Sequence, residues 1–180
     1  MCEDDLLGYA SKEFVPMVIR PATVCGHSPR QRLDVIVNIM TNHAINNRKV
    51  KVFGGEQLRP NIHIQDMVEV YSRGLRWRDD QVASKIYNAG YQNHSVSEIA
   101  DIVRNVVGED VAVETTPTDD IRSYHVSSDK IKRELDFSPA HTIEDAVKDL
   151  KRAFTADLLP NSFEDSSYFN IKRMQEVNLQ

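Results

Sequence analysis

Short apolar runs alternate with stretches of helical periodicity along most of this chain. The run at residues 14–20 is rich in β-branched side chains, which predicts a buried strand whose pairing ends at Pro21. Similar short runs predict further strands at residues 50–53, 61–64, 85–89 and 111–115. Apolar residues spaced three or four apart predict helices at residues 3–14, 33–46, 65–76, 95–107, 127–135 and 142–158. Strands that alternate with helices throughout indicate the α/β class.

Local capping signals fix some helix ends more sharply than periodicity does. Ser95 and Glu98 have the spacing of a capping box, and Gly108 stands where that helix should stop. The segment 142–145 opens the last long helix, which Pro160 closes. Residues 159–180 show only weak periodicity, so we predict one ordered unit over 1–158 and an irregular C-terminal arm over 159–180.

The composition is that of one globular domain and excludes several classes of partner. Lys and Arg number 22 against 27 Asp and Glu, a net charge of −5, and the basic residues form no run that could follow a track of phosphates. We therefore expect no nucleic-acid binding. No apolar stretch approaches the ~20 residues of a membrane span, so we expect no membrane association. Two cysteines are too few for a disulfide framework, which favours a reducing, cytoplasmic setting.

Few side chains carry a spacing that specifies chemistry by itself. The six histidines show no metal-ligand spacing, and we predict no metal site. Arg59 follows a Gly-Gly turn and precedes a strand, where its guanidinium could bind two phosphate oxygens. For His63 a packed core position is the favoured interpretation, and for Asp66 an N-terminal helix cap. Cys25 is interpreted as a small buried residue rather than a nucleophile.

Three segments in order resemble the NAD-dependent epimerase/dehydratase family, the extended short-chain dehydrogenases/reductases that modify nucleotide-sugars. Residues 20–26, Arg-Pro-Ala-Thr-Val-Cys-Gly, are similar to the family's Arg-Pro-x-x-Val-Tyr-Gly. Residues 59–66 are similar to its Arg-Asp-Phe/Tyr-Val/Ile-His-Val-x-Asp, with departures at Pro60 and Asn61. The third segment, residues 120–124, carries Arg122, and residues 128–139 follow the family's ending "x-x-K-x-x-x-x-L-G-W/F-x-P" with Asp136 in place of glycine.

The resemblance implies a set of site residues. It places the main chain of four consecutive residues, Pro21, Ala22, Thr23 and Val24, at the nicotinamide end of NAD or NADP. It assigns Arg59 and Arg122 to the diphosphate of a nucleotide-sugar, and Asn88 to the edge of the nucleotide pocket. Asn38, on the helix after the nicotinamide strand, is a further candidate contact for substrate.

The resemblance also implies what this chain lacks. No Gly-x-Gly-x-x-Gly turn occurs, so the helix N-terminus that would hold the cofactor pyrophosphate is absent from the sequence. Glu3 resembles a family glutamate about four residues after the lysine of the catalytic Tyr-x-x-x-Lys pair, which places that pair upstream of Met1. We therefore expect the C-terminal part of a Rossmann-like extended short-chain dehydrogenase/reductase, with the last parallel strands and a small substrate-binding domain. Such a chain would bind no cofactor and turn over no substrate without the missing N-terminal half, and full-length relatives would be homodimers.

Three hypotheses remain open at this point. The chain could be part of a nucleotide-sugar epimerase, dehydratase or reductase; a non-catalytic module that binds a nucleotide diphosphate; or an interaction domain whose strand edge at residues 14–20 pairs with another sheet. The sugar, the nucleotide, the choice between NAD and NADP and the reaction are all left open by the sequence.

Overall fold

The computed structural model describes residues 2–119 and 122–178, and strands alternate with helices along both segments. The strands are β1 Met17–Pro21, β2 Thr23–Cys25, β3 Lys49–Phe53, β4 Leu58–His63, β5 Lys85–Ala89, β6 Gln92–Ser95 and β7 Ala112–Thr116. The helices are α1 Cys2–Gly8, α2 Ile36–Asn47, α3 Ile64–Gly74, α4 Asp79–Val82, α5 Val96–Val107, α6 Asp129–Leu135, α7 Ile143–Thr155 and α8 Asn170–Glu176, and a 3-10 turn covers Ser166–Tyr168. The chain therefore has the predicted α/β architecture.

The strands form three small sheets in which parallel pairing dominates. β1 pairs with β5 and β3 pairs with β7, both in parallel. β4 lies between a parallel neighbour, β2, and an antiparallel neighbour, β6. Because parallel strands bring their carboxyl ends to the same edge, residues that follow β1 and β5 come close together there.

Among the described residues, the two larger apolar clusters hold these layers together. The larger core packs α2, α5 and α7 on β3, with Val37, Val50, Ile99 and Val147 fully buried. The second core packs α3 and α6 around β1 and β5. It contains Tyr87, Ile62, Val70, Ile131 and Phe137.

Pro21 and Pro60 both lie inside strands, whereas the sequence predicted that pairing ends at Pro21 and that the next strand begins after Pro60. Pro21 does not end the pairing of β1, since it lies opposite Ala89 in the ladder and Ala22 N then donates to Ala89 O at 2.7 Å. Pro60 lies inside β4, which therefore begins at Leu58, three residues earlier than predicted. At Pro60 the strand pairs with β6 alone, so its missing N–H removes no ladder bond on the other side.

Several element boundaries also differ. The first helix ends at Gly8 instead of continuing toward residue 14, and α2 begins at Ile36 instead of residue 33. The capping boxes at Ser95 and Thr142 and the C-cap at Gly108 are confirmed. α3 begins at Ile64 with His63 as its cap, so the prediction that Asp66 caps this helix is wrong.

The C-terminal arm packs against the rest of the chain, and it is less irregular than predicted, because it contains the 3-10 turn Ser166–Tyr168 and α8 Asn170–Glu176. Its Tyr168 carbonyl accepts a bond from Leu33 N at 2.9 Å, and Asn170 N donates to Asp34 Oδ2 at 3.0 Å. Ser162 and Asn42 form a buried pair in which Ser162 Oγ donates to Asn42 Oδ1 at 2.8 Å. The arm thus closes over the start of α2.

Among the described residues, every helix is too short or too polar to cross a lipid bilayer.

Candidate functional site

Arg59 and Arg122 come together although 63 positions separate them in the chain. Arg59 lies on β4, and its Nη1 donates to the Arg122 carbonyl at 2.5 Å and to the Leu58 carbonyl at 3.0 Å. Its guanidinium carbon also lies 5.8 Å from the ring centre of Tyr124. The side chain of one arginine therefore fixes the main chain that carries the other.

The loop 122–128, here called the arginine loop, is tied to β4, β5 and β6 by side-chain bonds. Leu58 N donates to Ser123 Oγ at 2.9 Å. Asn93 bonds Val126 in both directions, with Nδ2 donating to its carbonyl at 3.1 Å and Oδ1 accepting from its N–H at 2.8 Å. These anchoring residues could not be predicted from the sequence, because a lone Asn or Ser has no pattern that marks a long-range bond.

A cavity of about 630 Å³ opens beside Arg59, between α2 and the outward face of β3. Cationic and imidazole side chains line part of it, and apolar ones line the rest: Lys49, Lys51, His43 and Arg59, with Ile36, Ile39, Met40, Phe53 and Val96. Lys49 is paired with Glu114 at 2.6 Å. Burial and the neighbouring Lys51 lower the pKa of His43. The cavity therefore combines apolar side chains with cationic ones, and the carboxylate of Asp34 also lines it.

The four predicted cofactor residues surround the junction between β1 and β2. Pro21 is exposed, Ala22 is buried, and Thr23 and Val24 are half-buried. The Ala22 N–H is already bonded to Ala89 O, and a Cβ at Gly90 would lie only 3.1 Å from the Ala22 Cβ. The two strand ends therefore approach each other closely beside Gly90.

The two predicted asparagines lie in different environments. Asn38 is buried, and its amide holds the loop after β2: Oδ1 accepts from Gly26 N at 3.0 Å and Nδ2 donates to Arg32 O at 2.8 Å. What the structure shows for Asn38 is this positioning of the loop. Asn88 lies at the carboxyl end of β5, and its Nδ2 donates to Ser127 O at 3.3 Å, next to the arginine loop.

A buried polar network joins β4 and α3 to the segment before α7. The Asp66 carboxylate accepts from Ala140 N at 3.0 Å, His141 N at 2.9 Å and His141 Nδ1 at 2.9 Å. The His63 ring stacks on His141 at 4.8 Å between ring centres, and its Nε2 lies 3.3 Å from Asp149 Oδ2. Burial lowers the pKa of His63 against the opposing pull of Asp149. This network has a structural role.

Cys25 is also structural. Its thiol is buried and lies 3.5 Å from the Ile62 carbonyl. Burial raises the pKa of this thiol to about 12, so it holds its proton at neutral pH and is no nucleophile. Among the described residues, no three His, Cys, Asp or Glu side chains cluster as metal ligands.

One Tyr-x-x-x-Lys spacing does occur, at Tyr168 and Lys172 in the C-terminal arm, and it is not a catalytic pair. Tyr168 ends the 3-10 turn and packs on the apolar cluster of Leu150, Ala153 and Leu159, and burial raises its pKa. Lys172 lies in α8, where its ammonium donates to Phe163 O at 3.1 Å and lies 4.2 Å from the ring centre of Phe169. The two residues stand in separate elements and their polar groups serve local contacts.

Known proteins are similar to this chain over part of their length. The sequence signature described as "NAD dependent epimerase/dehydratase family" matches residues 2–90. The chain is 26% identical over 136 residues to a UDP-glucose 4-epimerase of Corynebacterium glutamicum, which covers 70% of this chain and 40% of that protein.

Two solved structures share the fold. The ADP-L-glycero-D-manno-heptose-6-epimerase of Helicobacter pylori superposes with a TM-score of 0.72 at 24% identity, covering 86% of this chain and 48% of that one. The UDP-glucuronic acid 4-epimerase of Bacillus cereus, solved with UDP-glucuronic acid and NAD, gives a TM-score of 0.65 at 17% identity, covering 78% and 45%. The chain thus spans about half the length of its relatives. By sequence, its residues 2–90 belong to the NAD-dependent epimerase/dehydratase family, and the chain has the fold of part of an extended short-chain dehydrogenase/reductase.

Proposed function

We propose that this chain supplies the nucleotide-sugar diphosphate site, and part of the nicotinamide site, of an NAD(P)-dependent nucleotide-sugar epimerase or dehydratase. The observation that carries the proposal is the bond from Arg59 Nη1 to the Arg122 carbonyl, which brings the side chain of one arginine to the main chain of the other, and we propose that the Arg122 guanidinium faces the same ligand. Paired guanidinium groups suit a diphosphate, because each can bind two phosphate oxygens in a planar fork.

The cavity beside Arg59 supports the same proposal through its shape and charge. A nucleotide has a flat aromatic base and an anionic diphosphate, and the cavity has an apolar wall at Ile36, Ile39 and Phe53 with cations at its edge. Its volume of about 630 Å³ falls in the range of ~300–1,000 Å³ that is usual for small-ligand sites. Asn88, beside the arginine loop, is a further proposed contact, and Asn38 would act indirectly, by positioning the loop after β2.

The residues at the β1–β2 junction fit one end of a nicotinamide cofactor. The Ala22 N–H is used by Ala89 O, and the Pro21 carbonyl and the Thr23 hydroxyl are the polar groups that we propose contact the ligand. Ala22 and Val24 offer apolar surface for the ring. NAD or NADP would supply hydride transfer, and the groups that hold its pyrophosphate are proposed to come from the N-terminal half of a longer or partner chain. An in-frame Tyr-x-x-x-Lys upstream of Met1 in the source DNA would support this arrangement, and a stop codon there would contradict it.

Calorimetric titration with UDP, UDP-glucose, dTDP-glucose and an ADP-sugar tests the diphosphate site. We expect one of them to bind, and Arg122→Ala to weaken it about tenfold or more, since a hydrogen bond to a charged group contributes about 1.5–3 kcal/mol. Arg133→Ala is the matched control, because Arg133 is an exposed arginine paired with Glu134 outside the site. No heat with any ligand, or equal losses in the two variants, would overturn the proposal.

The second candidate is a non-catalytic module that binds only the nucleotide diphosphate. The same titration separates the two, because an enzyme site should bind UDP-glucose or a related sugar more tightly than the free nucleotide. Equal affinity for UDP and UDP-glucose would favour the module. In either case we expect no turnover by this chain with added NAD alone. A reducing cytoplasmic setting, with Cys2 and Cys25 both free, and a homodimer of the full-length enzyme belong to the same proposal.

A further inference from the structure

The strand β3 presents one face to the core and the opposite face to the cavity. Val50 and Val52 are buried in the larger core. Because side chains alternate along a strand, Lys49, Lys51 and Phe53 point to the other face, and all three line the cavity. This strand therefore brings two lysine side chains to the cavity wall.

The order of the lining residues sets the direction in which a nucleotide would lie. Arg59 and Phe53 line one end of the cavity, where Gln57 Nε2 donates to Phe53 O at 3.1 Å and keeps the segment before Arg59 close. Lys49, which follows the turn from α2, lines the other end. Lys51 lies between them on β3. A diphosphate held at Arg59 would thus direct the attached base along β3 toward Lys51.

The Lys51 ammonium can be reached by a ligand. The neighbouring Lys49 is paired with Glu114 at 2.6 Å. The Asp34 carboxylate, which also lines the cavity, is paired with Arg32 at 2.9 Å. Among residues 2–119 and 122–178, no carboxylate forms an ion pair with Lys51. Lys51 is therefore a cation at the cavity wall without a counter-charge in the described part of the chain.

His43 lines the same cavity from α2 as a neutral ring. Burial and the nearby charge of Lys51 lower the pKa of His43, so the ring is uncharged at neutral pH. Asn47 Nδ2 lies 3.0 Å from His43 Nδ1, and because an amide nitrogen only donates, His43 Nδ1 accepts. The acceptor atom of this ring is therefore already bonded, and His43 has none left for an amino group of a ligand.

We propose that Lys51 selects the base of the nucleotide-sugar, in favour of bases that carry an oxygen on the edge remote from the ribose. These bases are uracil, thymine and guanine. A lysine ammonium only donates hydrogen bonds, and O4 of uracil or thymine and O6 of guanine accept them. Cytosine and adenine carry an amino group at the same position, which donates and would leave the Lys51 ammonium unpaired. This inference rests on the diphosphate site proposed above.

Calorimetric titration with two matched pairs of nucleotides tests the choice of base. UDP and CDP share the ribose and diphosphate and differ on the remote edge of the base, and GDP and ADP make the same comparison for purines. In each pair that binds, we expect the member with the oxygen to bind about tenfold more tightly, as for one good contact to a base edge. Equal affinity within the pairs, or the reverse order, would overturn the inference.

The variant Lys51→Met separates base selection from the general attraction of an anion to a cation. Loss of the charge should weaken UDP and CDP together, whereas loss of the contact should bring their two affinities toward equality. Lys51→Arg keeps a cationic donor and should keep the preference. Lys132→Met is the matched control, because Lys132 is exposed on α6 outside the cavity and should change neither affinity. A preference for UDP that survives Lys51→Met would overturn the role of Lys51.

The two proposals fail in different ways. If Arg122→Ala weakens every nucleotide but UDP and CDP bind alike, the diphosphate site stands and the inference about Lys51 fails alone. If none of the four nucleotides gives heat, both proposals fail. Lys51 is exposed, so circular dichroism of its variants should match that of the unaltered chain and confirm that a change in affinity is not a loss of folding.

Discussion

Replacing Asp66 by alanine should destabilise the fold more than any other single carboxylate change that we describe. Its side chain is only 5% exposed, and its oxygens accept from the N–H groups of Ala140 and His141 and from His141 Nδ1. Bonds to a charged acceptor contribute about 1.5–3 kcal/mol each, but burying the carboxylate opposes part of that gain. We expect a net loss of about 3 kcal/mol.

Urea unfolding followed by circular dichroism measures the loss in free energy of unfolding, and thermal unfolding measures the corresponding change in Tm. For a chain of this size 1 kcal/mol lowers Tm by about 2–4 °C, so Asp66→Ala should lower it by roughly 6–12 °C. Asp101→Ala is the control, because Asp101 is exposed on α5 and should change stability by less than about 0.5 kcal/mol. If the two variants unfold alike, Asp66 does not hold α3 to the segment before α7, and our account of this network is wrong.

Two further predictions concern His63 and Asn93. The pKa of His63 is lowered by burial from its ordinary value of 6.5, so the unfolded chain takes up the proton first as pH falls. The free energy of unfolding should therefore fall as the pH is lowered from about 7 to 5. The variant His63→Asn keeps an acceptor for the helix cap and should show a smaller fall. Urea unfolding at pH 7 and pH 5 measures both. Asn93→Ala should cost about 1–2 kcal/mol and also weaken nucleotide binding, because both bonds to Val126 are lost. Asn105→Ala, at an exposed position on α5, should do neither in the same unfolding and calorimetric assays.

Elements with strong local chemistry could be predicted from the sequence. Ser95 and Glu98 form the expected reciprocal bonds, and β5 spans the expected residues. β6 was missed because Gln92–Ser95 contains only polar side chains. Its pairing with β4 identifies it as a strand, which the pattern of apolar residues does not indicate.

The candidate site likewise contains residues that the sequence could predict and residues that it could not. Arg59 stands out in the sequence because a Gly-Gly turn precedes it. Its neighbour in space, the Arg122 carbonyl, and the anchors at Ser123 and Asn93 depend on contacts between residues 33 to 65 positions apart, which no local pattern encodes. Tyr168 and Lys172 show the reverse case, since they have the Tyr-x-x-x-Lys spacing but lie in separate elements without catalytic geometry.

The buried pair of Asn42 and Ser162 bears on how this protein can be shortened. Asn42 is fully buried on α2, and the partners of its amide on the arm are the Ser162 hydroxyl and carbonyl. A chain cut after residue 158 would lose both of those bonds, and at about 0.5–1.5 kcal/mol for each the cost is about 1–3 kcal/mol. Expression trials that trim the apparently dispensable C-terminus should therefore keep residues up to at least 170, so that α2, one wall of the cavity, retains its support.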